Sequence, residues 1–431
     1  MSMACFVNVI TIFVVVVSVV SGELEIDRDD NIEPFSLLCR IYNVAKNPPI
    51  NYVDLREPVQ IVEEIDALNK SLLKEQRHGE EEDSGNNSKT QLPHTTTREA
   101  ALLQTSLNQI TQRAHKILDE INKMDVTENI EKAKAEFHKV IFGDGGNESN
   151  LCHATVNDMD NRSVACGDTG LSSKGASAGK NLVVDFFCLC AMRTESGEGA
   201  KQACGFFVGK IDYYYGWGEQ GPWGSSTMWA SIKGGCGKRM QQHPKSTAEA
   251  RHILDQFLKH LKTGGVYRQI KCEKNPHPNC KKAIVEDSNR KEGMLGTGVT
   301  VDNTAKVTCD GKKGDDKKPE AGGVCVYYGK ESEWKNIPWV IKYESALTTV
   351  EYANNQTASI QRDIQKLQTL LHRAEEIYET AKVITEIQNP IRLASVFPNA
   401  SGNLTAYNTT RIRSYSYISR PCFMLLCVLL L

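Results

Sequence analysis

Two long segments of the chain carry apolar residues at spacings that alternate between three and four, and this repeat restricts the possible folds more than any other feature. The first run consists of Leu103, Leu107, Ile110, Ala114, Ile117, Ile121 and Met124. The second consists of Ala346, Val350, Ala353, Thr357, Ile360, Ile364, Leu367, Leu371, Ala374, Tyr378 and Ala381. Such a repeat places every side chain on one stripe of an α-helix, as in a coiled coil. Each stripe must therefore be buried against another helix.

The ends of these helices are also marked in the sequence. The first stripe falls out of step after Met124, and Asp125 with Glu128 has the spacing of a capping box, which predicts a helix break there. Gly143 ends the first segment and Pro390 the second, so each spans about 44 residues, or roughly 65 Å when helical.

A third, shorter helix is expected after Pro58, where Ile61, Ile65, Leu68 and Leu72 keep the same spacing before an acidic loop over 78–87. The predicted fold class is mainly α, with a long antiparallel coiled-coil hairpin, the third helix along it, and a disulfide-rich head inserted between the arms. In this arrangement the side chains expected in the helical interface are those of Leu107, Ile110, Ile364 and Leu367.

The head is predicted over 143–343, which holds all five tryptophans and most of the cysteines. The helical scaffold is assigned to 36–142 and 344–389, and scaffold and head together form one domain over 23–390. An aromatic block with Trp217, Trp223 and Trp229 has two interpretations, a binding platform for a glycan or a base, or a disulfide-bonded core with turns. The mixed charges of 310–318 indicate a solvated loop.

The N-terminal end has the pattern of a secretory signal. Residues 5–20 are almost entirely apolar and are followed by Ser21 and Gly22, small enough for signal peptidase. We expect 1–22 to be a signal peptide cleaved after Gly22. The alternative is an N-terminal membrane anchor.

The C-terminal end is apolar over 422–431, and ten helical residues reach only about 15 Å, half the thickness of a bilayer core. A short terminal tail of this kind directs replacement by a glycosylphosphatidylinositol (GPI) anchor. Asn408 is the preferred attachment site because its spacer has a suitable length, with Ser401 and Ser414 as alternatives. This predicts a polar linker over 391–408 and removal of 409–431. The alternative is an uncleaved precursor that keeps its tail.

Loss of both ends would remove Cys5, Cys422 and Cys427 and leave eleven of the fourteen cysteines in an oxidising compartment, where they should form disulfides. These eleven are Cys39, Cys152, Cys166, Cys188, Cys190, Cys204, Cys236, Cys272, Cys280, Cys309 and Cys325. An odd number predicts one free or intermolecular thiol, and the pairing itself stays open.

Glycosylation sequons suit a secreted surface protein. The sites expected to carry glycans are Asn86, Asn147, Asn161, Asn399 and Asn403. Asn69 and Asn355 also stand in sequons, but within helical patterns where burial could exclude the modifying enzyme.

No motif for catalysis, metal or cofactor binding stands out. The sequence contains no P-loop, and Cys188 and Cys190 lack zinc-ribbon spacing and lie in an apolar run over 182–192 that is typical of a core. The net charge of −2 gives no general attraction to nucleic acid. We therefore expect no catalytic residue, no cofactor, no metal, no nucleic acid and no small-molecule substrate.

Several of these features occur together in one known family. An early cysteine in LCRIYNVA (38–45), a helical hairpin around a head containing DFFCLC (185–190), a signal peptide and a lipid-anchor tail resemble the variant surface glycoproteins of African trypanosomes. The likeness is greatest to the B-type N-terminal domain of Trypanosoma congolense coats. One departure is that no cysteine lies between Cys325 and Cys422, so the separate cysteine-rich C-terminal domain of many relatives is missing.

The resemblance implies a GPI-anchored coat protein on the extracellular face of the plasma membrane, usually a homodimer, whose variable head evades host antibodies and which has no enzymatic activity. It also implies that Cys39 ties the N-terminal segment to the head. Two other functions stay open: a nutrient receptor of the same three-helix type, such as the haptoglobin-haemoglobin or transferrin receptors, and a secreted glycosidase or lectin using the block from Trp217 to Trp229.

Overall fold

The computed structural model describes residues 25–81, 98–159, 161–195, 197–210, 215–239, 243–270, 289–301, 305–315 and 320–388. Its helices are α1 (Ile32–Lys46), α2 (Glu57–Glu81), α3 (Arg98–Asn122), α4 (Val126–Phe142), α5 (Leu151–Ala154), α6 (Arg162–Cys166), α7 (Leu182–Cys190), α8 (Ser225–Arg239), α9 (Thr247–Thr263) and α10 (Pro338–Gln388), with a 3-10 helix at Glu331–Asn336. Its strands are β1 (Gly216–Trp217), β2 (Pro222–Trp223), β3 (Gly265–Ile270), β4 (Arg290–Lys291), β5 (Met294–Val301) and β6 (Gly322–Tyr327). The predicted fold class is confirmed in its main feature, because the chain is mainly helical and its long helices pack together.

The chain divides into two compact units. One consists of Met1–Glu64 and Gln112–Leu371, and the other of Ile65–Thr111 and His372–Leu431. The larger unit contains all the strands, so its helices and sheet are described first.

In the larger unit, α10 lies beside α4 and beside the start of α2. The Asn129 amide donates to Gln356 Oε1 at 3.0 Å, and the rings of Phe137 and Tyr343 are 5.8 Å apart, so residue numbers rise along α4 while they fall along α10. At the start of α2, Gln368 donates to Glu57 Oε1 at 2.8 Å. An antiparallel hairpin over the full length of both predicted arms stays a prediction.

The smaller unit pairs α2 with α3. The Gln104 amide donates to Asn69 Oδ1 at 2.7 Å, which joins polar side chains of the two helices beside the apolar stripe. Leu107 and Ala374 of this unit are fully buried.

The burial predicted for the two stripes is confirmed. Leu107 and Leu367 have no exposed surface, and Ile110 and Ile364 are 5% exposed. Two polar residues of α10, Thr357 and Asp363, are also buried. The repeat therefore identified the buried face of each helix correctly.

Two helix ends differ from the sequence prediction. The break after Met124 is confirmed, since α3 ends at Asn122 and α4 begins at Val126, but the Asp125 side chain makes no capping hydrogen bond, so the capping box proposed there is wrong. Helix α2 continues to Glu81, so residues 78–81 are helical and not part of a loop. The rest of that predicted loop lies outside the described residues.

The head contains a four-stranded sheet that the sequence analysis did not predict. Its strand order is β4-β3-β5-β6, in which β3 and β5 are parallel and the other pairs antiparallel. Strand β6 is buried along its whole length and packs on α7. Helix α1, assigned from the sequence partly to the scaffold, packs on α4 as well as on α7, α8 and α9, so it joins scaffold and head in one core.

Two further segments of the head test local predictions. The spacing of Ser246 and Glu249 predicts a capping box, and α9 begins with one, because Ser246 Oγ accepts from the Glu249 amide at 3.1 Å. Gly264, whose φ of 83° suits glycine, follows the last helical residue. The solvated loop predicted at 310–318 is wrong for 310–315, because Gly311 and Gly314 are buried and Lys313 pairs with Glu25 at 2.6 Å.

The stripe on α10 leads to a stability prediction. Leu367→Ala should lower the free energy of unfolding by about 2–5 kcal/mol, because it leaves a cavity in the buried face. Ile341→Ala, at a position of α10 that is 49% exposed, is the control and should cost clearly less. Urea unfolding followed by circular dichroism measures both, and equal losses would contradict the burial of this stripe.

Candidate functional site: the disulfide-bonded head

The head is organised around α7, whose nine residues are all buried. Its sequence, LVVDFFCLC, contains one charged residue, so nearly every side chain gains from leaving water. Asn181 begins the helix by accepting a hydrogen bond from the Val184 amide at 2.9 Å. The prediction of a core segment in this region is confirmed.

Four disulfides join the described segments to one another. They link Cys39 to Cys236, Cys166 to Cys188, Cys190 to Cys204, and Cys309 to Cys325. Two of the four use cysteines of α7. The bond from Cys39 ties α1 to α8, as the resemblance implied, and closes a sequence separation of 197 residues. A cross-link over so long a loop restricts the unfolded chain strongly.

The remaining cysteines have different positions. Cys152, one of the eleven cysteines expected in disulfides, instead has a free and exposed thiol in α5. Cys272 and Cys280 lie outside the described residues. The odd number of cysteines predicted an unpaired thiol, and only the fold identifies the position that lacks a partner.

Asp185 is a fully buried carboxylate within α7. It accepts three hydrogen bonds of 2.8 Å, from the Gly179 amide, the Tyr328 hydroxyl and the Trp339 indole N–H. Burial raises the pKa of Asp185 from its ordinary value of 3.8 to about 6, against the opposing effect of these hydrogen bonds. The carboxylate thus connects α7 to the strand β6 region and to the start of α10.

Arg162 is a second buried charge, and it lies at the other end of α7. Its guanidinium donates to the carbonyl oxygens of Cys188 at 2.8 Å, Ala191 at 2.8 Å and Trp217 at 3.1 Å. Burial lowers the pKa of Arg162 to about 10, and the side chain stays charged at neutral pH. It satisfies carbonyl groups where α7 ends, which would otherwise have no donor.

Asn31, which precedes α1, also donates hydrogen bonds to buried carbonyl groups. Its amide donates to Leu189 O at 2.9 Å and to Val324 O at 2.8 Å, so it joins α7 to β6. Asp185 could have been found from the sequence as the one charge in an apolar run. Arg162 and Asn31 carry no such signal, because polar residues outside an apolar run are usually exposed.

The aromatic block divides into buried and exposed residues. Trp217 and Trp229 are buried, as the core interpretation predicted, with Trp229 packed edge-on against Tyr42 at 5.4 Å. Trp223 is 51% exposed. A platform of several exposed rings is therefore not formed by these three tryptophans.

The predicted modification sites fall into two groups. Asn147 and Asn161 are exposed, and Asn161 uses its side-chain oxygen to cap α6 through the Ser163 amide at 2.9 Å. The other three predicted glycosylation sites, the preferred anchor site Asn408 with its alternatives, and the signal peptide lie outside the described residues. Asn355, for which burial was considered, is exposed on α10.

The described residues contain neither a metal-binding cluster nor a helix that could span a membrane. No group of three or more His, Cys, Asp or Glu side chains is placed to hold a metal ion in the part of the chain that the structure describes. Across the same residues, every helix is too short or too polar to cross a bilayer.

Comparison with known proteins identifies the family. The profile of the trypanosomal VSG domain matches residues 70–371, which is more than half of the chain. The chain belongs to the trypanosomal VSG domain family. This is a family of non-enzymatic surface coat proteins, so the chain is not an enzyme. The resemblance noted in the sequence is thereby confirmed.

A curated relative supports the same assignment. The chain is 25% identical over 291 residues to the variant surface glycoprotein YnAT 1.3 of Trypanosoma congolense. The similar region covers 66% of this chain and 63% of that protein, so the chain matches less than two thirds of the relative's length.

The buried Asp185 carboxyl predicts a pH dependence of stability. The pKa of Asp185 is higher in the folded chain than in the unfolded chain, so this residue stabilises the fold most at a pH below its unfolded pKa. The stabilisation is lost as pH rises through about 6, and the free energy of unfolding falls by about 3 kcal/mol. Asp185→Asn should lack this decline, whatever its absolute stability. Urea titrations at several pH values measure the slope, with exposed Asp119→Asn as the control for charge, and an unchanged slope in Asp185→Asn would contradict the assignment.

The exposed thiol predicts a labelling pattern. A maleimide added to the native oxidised protein should modify Cys152, because the thiols of the four disulfides are not available. Mass spectrometry of peptides identifies the labelled residue. Cys152→Ser should remove that label, and labelling at Cys39 or Cys236 in the native protein would contradict the pairing.

Proposed function

We propose that this protein is a GPI-anchored variant surface coat antigen that forms a steric shield and mediates antigenic variation and evasion of host antibody. The observation that carries the proposal is the match of residues 70–371 to the trypanosomal VSG domain. The name of the Trypanosoma congolense relative supports it.

The construction of the head supports a role in which the surface varies. Its stability depends on groups with almost no exposure, such as the disulfides of α7, Asp185 and Arg162. Substitutions at exposed positions away from such groups usually change stability by less than about 0.5 kcal/mol. A protein built in this way can exchange surface residues, and with them its antibody epitopes, while keeping its fold.

The proposed arrangement follows the sequence prediction. Residues 1–22 are a signal peptide, 23–390 form the N-terminal domain, 391–408 are a linker, and 409–431 are removed when the lipid is attached at Asn408. The helical stalk is the antiparallel hairpin of the two apolar segments with α2 beside it. The protein is a homodimer on the extracellular face of the plasma membrane, and host antibodies are its outside partners.

The anchor is tested by the effect of the tail on localisation. The double variant Leu425→Arg and Leu426→Arg places charges in the apolar tail and should divert the protein to secretion, whereas Leu425→Ile and Leu426→Ile should leave it on the membrane. Phosphatidylinositol-specific phospholipase C should release the parent protein, and mass spectrometry should find Asn408 at its C-terminus. A membrane-bound chain that resists the lipase and still ends in Leu431 would contradict the proposal.

Abundance separates a coat antigen from a receptor of the same three-helix type. Quantitative mass spectrometry of surface proteins should find this chain dominant on cells that express it. A scarce surface protein that captures a serum protein would instead support the nutrient receptor.

A further inference from the structure

A cavity of about 360 Å³ lies between α1, α4 and α8 in the larger unit. Its apolar part is formed by Ala45, Ile141 and Phe142, which are 5–6% exposed. Its volume is at the lower end of the about 300–1,000 Å³ found for ligand pockets. The space therefore suits a compound with one ring.

Tyr42 gives this cavity a polar group without a protein partner. The residue is 4% exposed and lines the cavity, and its hydroxyl has no hydrogen bond to any residue that the structure describes. Contacts with the rings of Trp229 at 5.4 Å and Phe186 at 6.5 Å fix the ring in the core. Because the hydroxyl lines the cavity and has no protein partner among the described residues, it is available to donate a hydrogen bond to a ligand there.

The protonation state of Tyr42 favours donation. Burial, and after it the negative charge of Glu148, raises the pKa of Tyr42 to about 12. The hydroxyl therefore keeps its proton at neutral pH and offers it to an acceptor in the cavity.

The charges at the rim are mainly positive. The lining contains three lysines, Lys46, Lys134 and Lys233, and one acidic residue, Glu148. Glu148 is paired with Lys233, and Lys134 is paired with Glu131 outside the lining at 2.8 Å. Lys46 is exposed and has no ion pair among the described residues. A negative group in the cavity would thus meet the ammonium group of Lys46, which no carboxylate of the described residues neutralises.

We propose that this cavity binds a small organic acid, with the carboxylate at the Tyr42 hydroxyl and the rim lysines and an apolar ring against Ala45, Ile141 and Phe142. A cation is disfavoured by the ammonium groups at the rim. A sugar without a charge would bury several hydroxyls against apolar side chains that offer them no hydrogen bond. This binding does not depend on the coat function, and either proposal can fail without the other.

Phenylacetate and phenylacetamide are matched probes, because they share a ring and differ in charge. Titration of the processed full chain, followed by calorimetry or NMR, should give a dissociation constant on the order of 0.1–1 mM for phenylacetate, as expected for a ligand of this size. Phenylacetamide should bind about tenfold more weakly or not at all. Raising the salt concentration should weaken the binding of phenylacetate. Equal binding of the two probes would overturn the proposal. So would no binding of phenylacetate at a concentration about ten times the upper dissociation constant given above.

Variants assign the binding to this cavity. Tyr42→Phe keeps the buried ring and removes only the hydroxyl, so it should weaken phenylacetate about tenfold, while Tyr352→Phe, at an exposed position of α10, should not. Lys46→Gln should weaken phenylacetate about twofold to fivefold, and Lys259→Gln on α9 is its control. If Tyr42→Phe does not fold, the affinity of Lys46→Gln for phenylacetate tests the proposal by itself. Unchanged affinity in Lys46→Gln and in a folded Tyr42→Phe would overturn the proposal.

Discussion

The complete burial of α7 is the constraint on which the rest of the head depends. A helix with no exposed face cannot satisfy its terminal carbonyls or its charged side chain with water, so neighbouring elements must supply every partner. Arg162 and Asn31 donate to its carbonyls, and Asp185 receives hydrogen bonds from Tyr328 and Trp339. Segments far apart in the chain are held in place because they carry these groups.

The long helices and the head are stabilised in different ways. The helices bury one stripe each, and this burial is non-directional and spread over many residues, so no single residue determines it. In the head, directional hydrogen bonds to buried groups and covalent cross-links act at particular residues. The bonds of Cys166 and Cys190 join α6 and the segment around Cys204 to α7, so the loops that surround it are fixed independently of their surface residues.

The same core leaves Tyr42 in an unusual position. Its ring is held by Trp229 and Phe186, yet its hydroxyl lies at a cavity and not at a protein acceptor. Elsewhere in this core the buried hydroxyls of Tyr328 and Tyr343 do find acceptors, at 2.8 and 2.9 Å. The contrast singles out Tyr42 as the place where the packing of the head leaves a polar group open to a ligand.

The sequence by itself determined the features that depend on neighbouring residues. The spacing of three and four fixed which faces of α3 and α10 are buried, Ser246 with Glu249 fixed the start of α9, and the apolar run fixed the burial of α7. Asp125 shows the limit of such reasoning, because its capping residues are present but its side chain makes no cap bond.

Only the tertiary structure decided which distant residues meet. Residues separated by loops are joined by the disulfide between Cys39 and Cys236 and by the sheet that covers α7. The same holds for the buried hydrogen bonds of Arg162, although this residue lies in a sequon. The charged run at 310–318 predicts a solvated loop from its own residues, but Lys313 pairs with Glu25, which lies 288 positions away, and no periodicity carries information over that distance. Local patterns report the energy of a residue with its near neighbours, whereas these contacts gain their energy only when the whole head has folded.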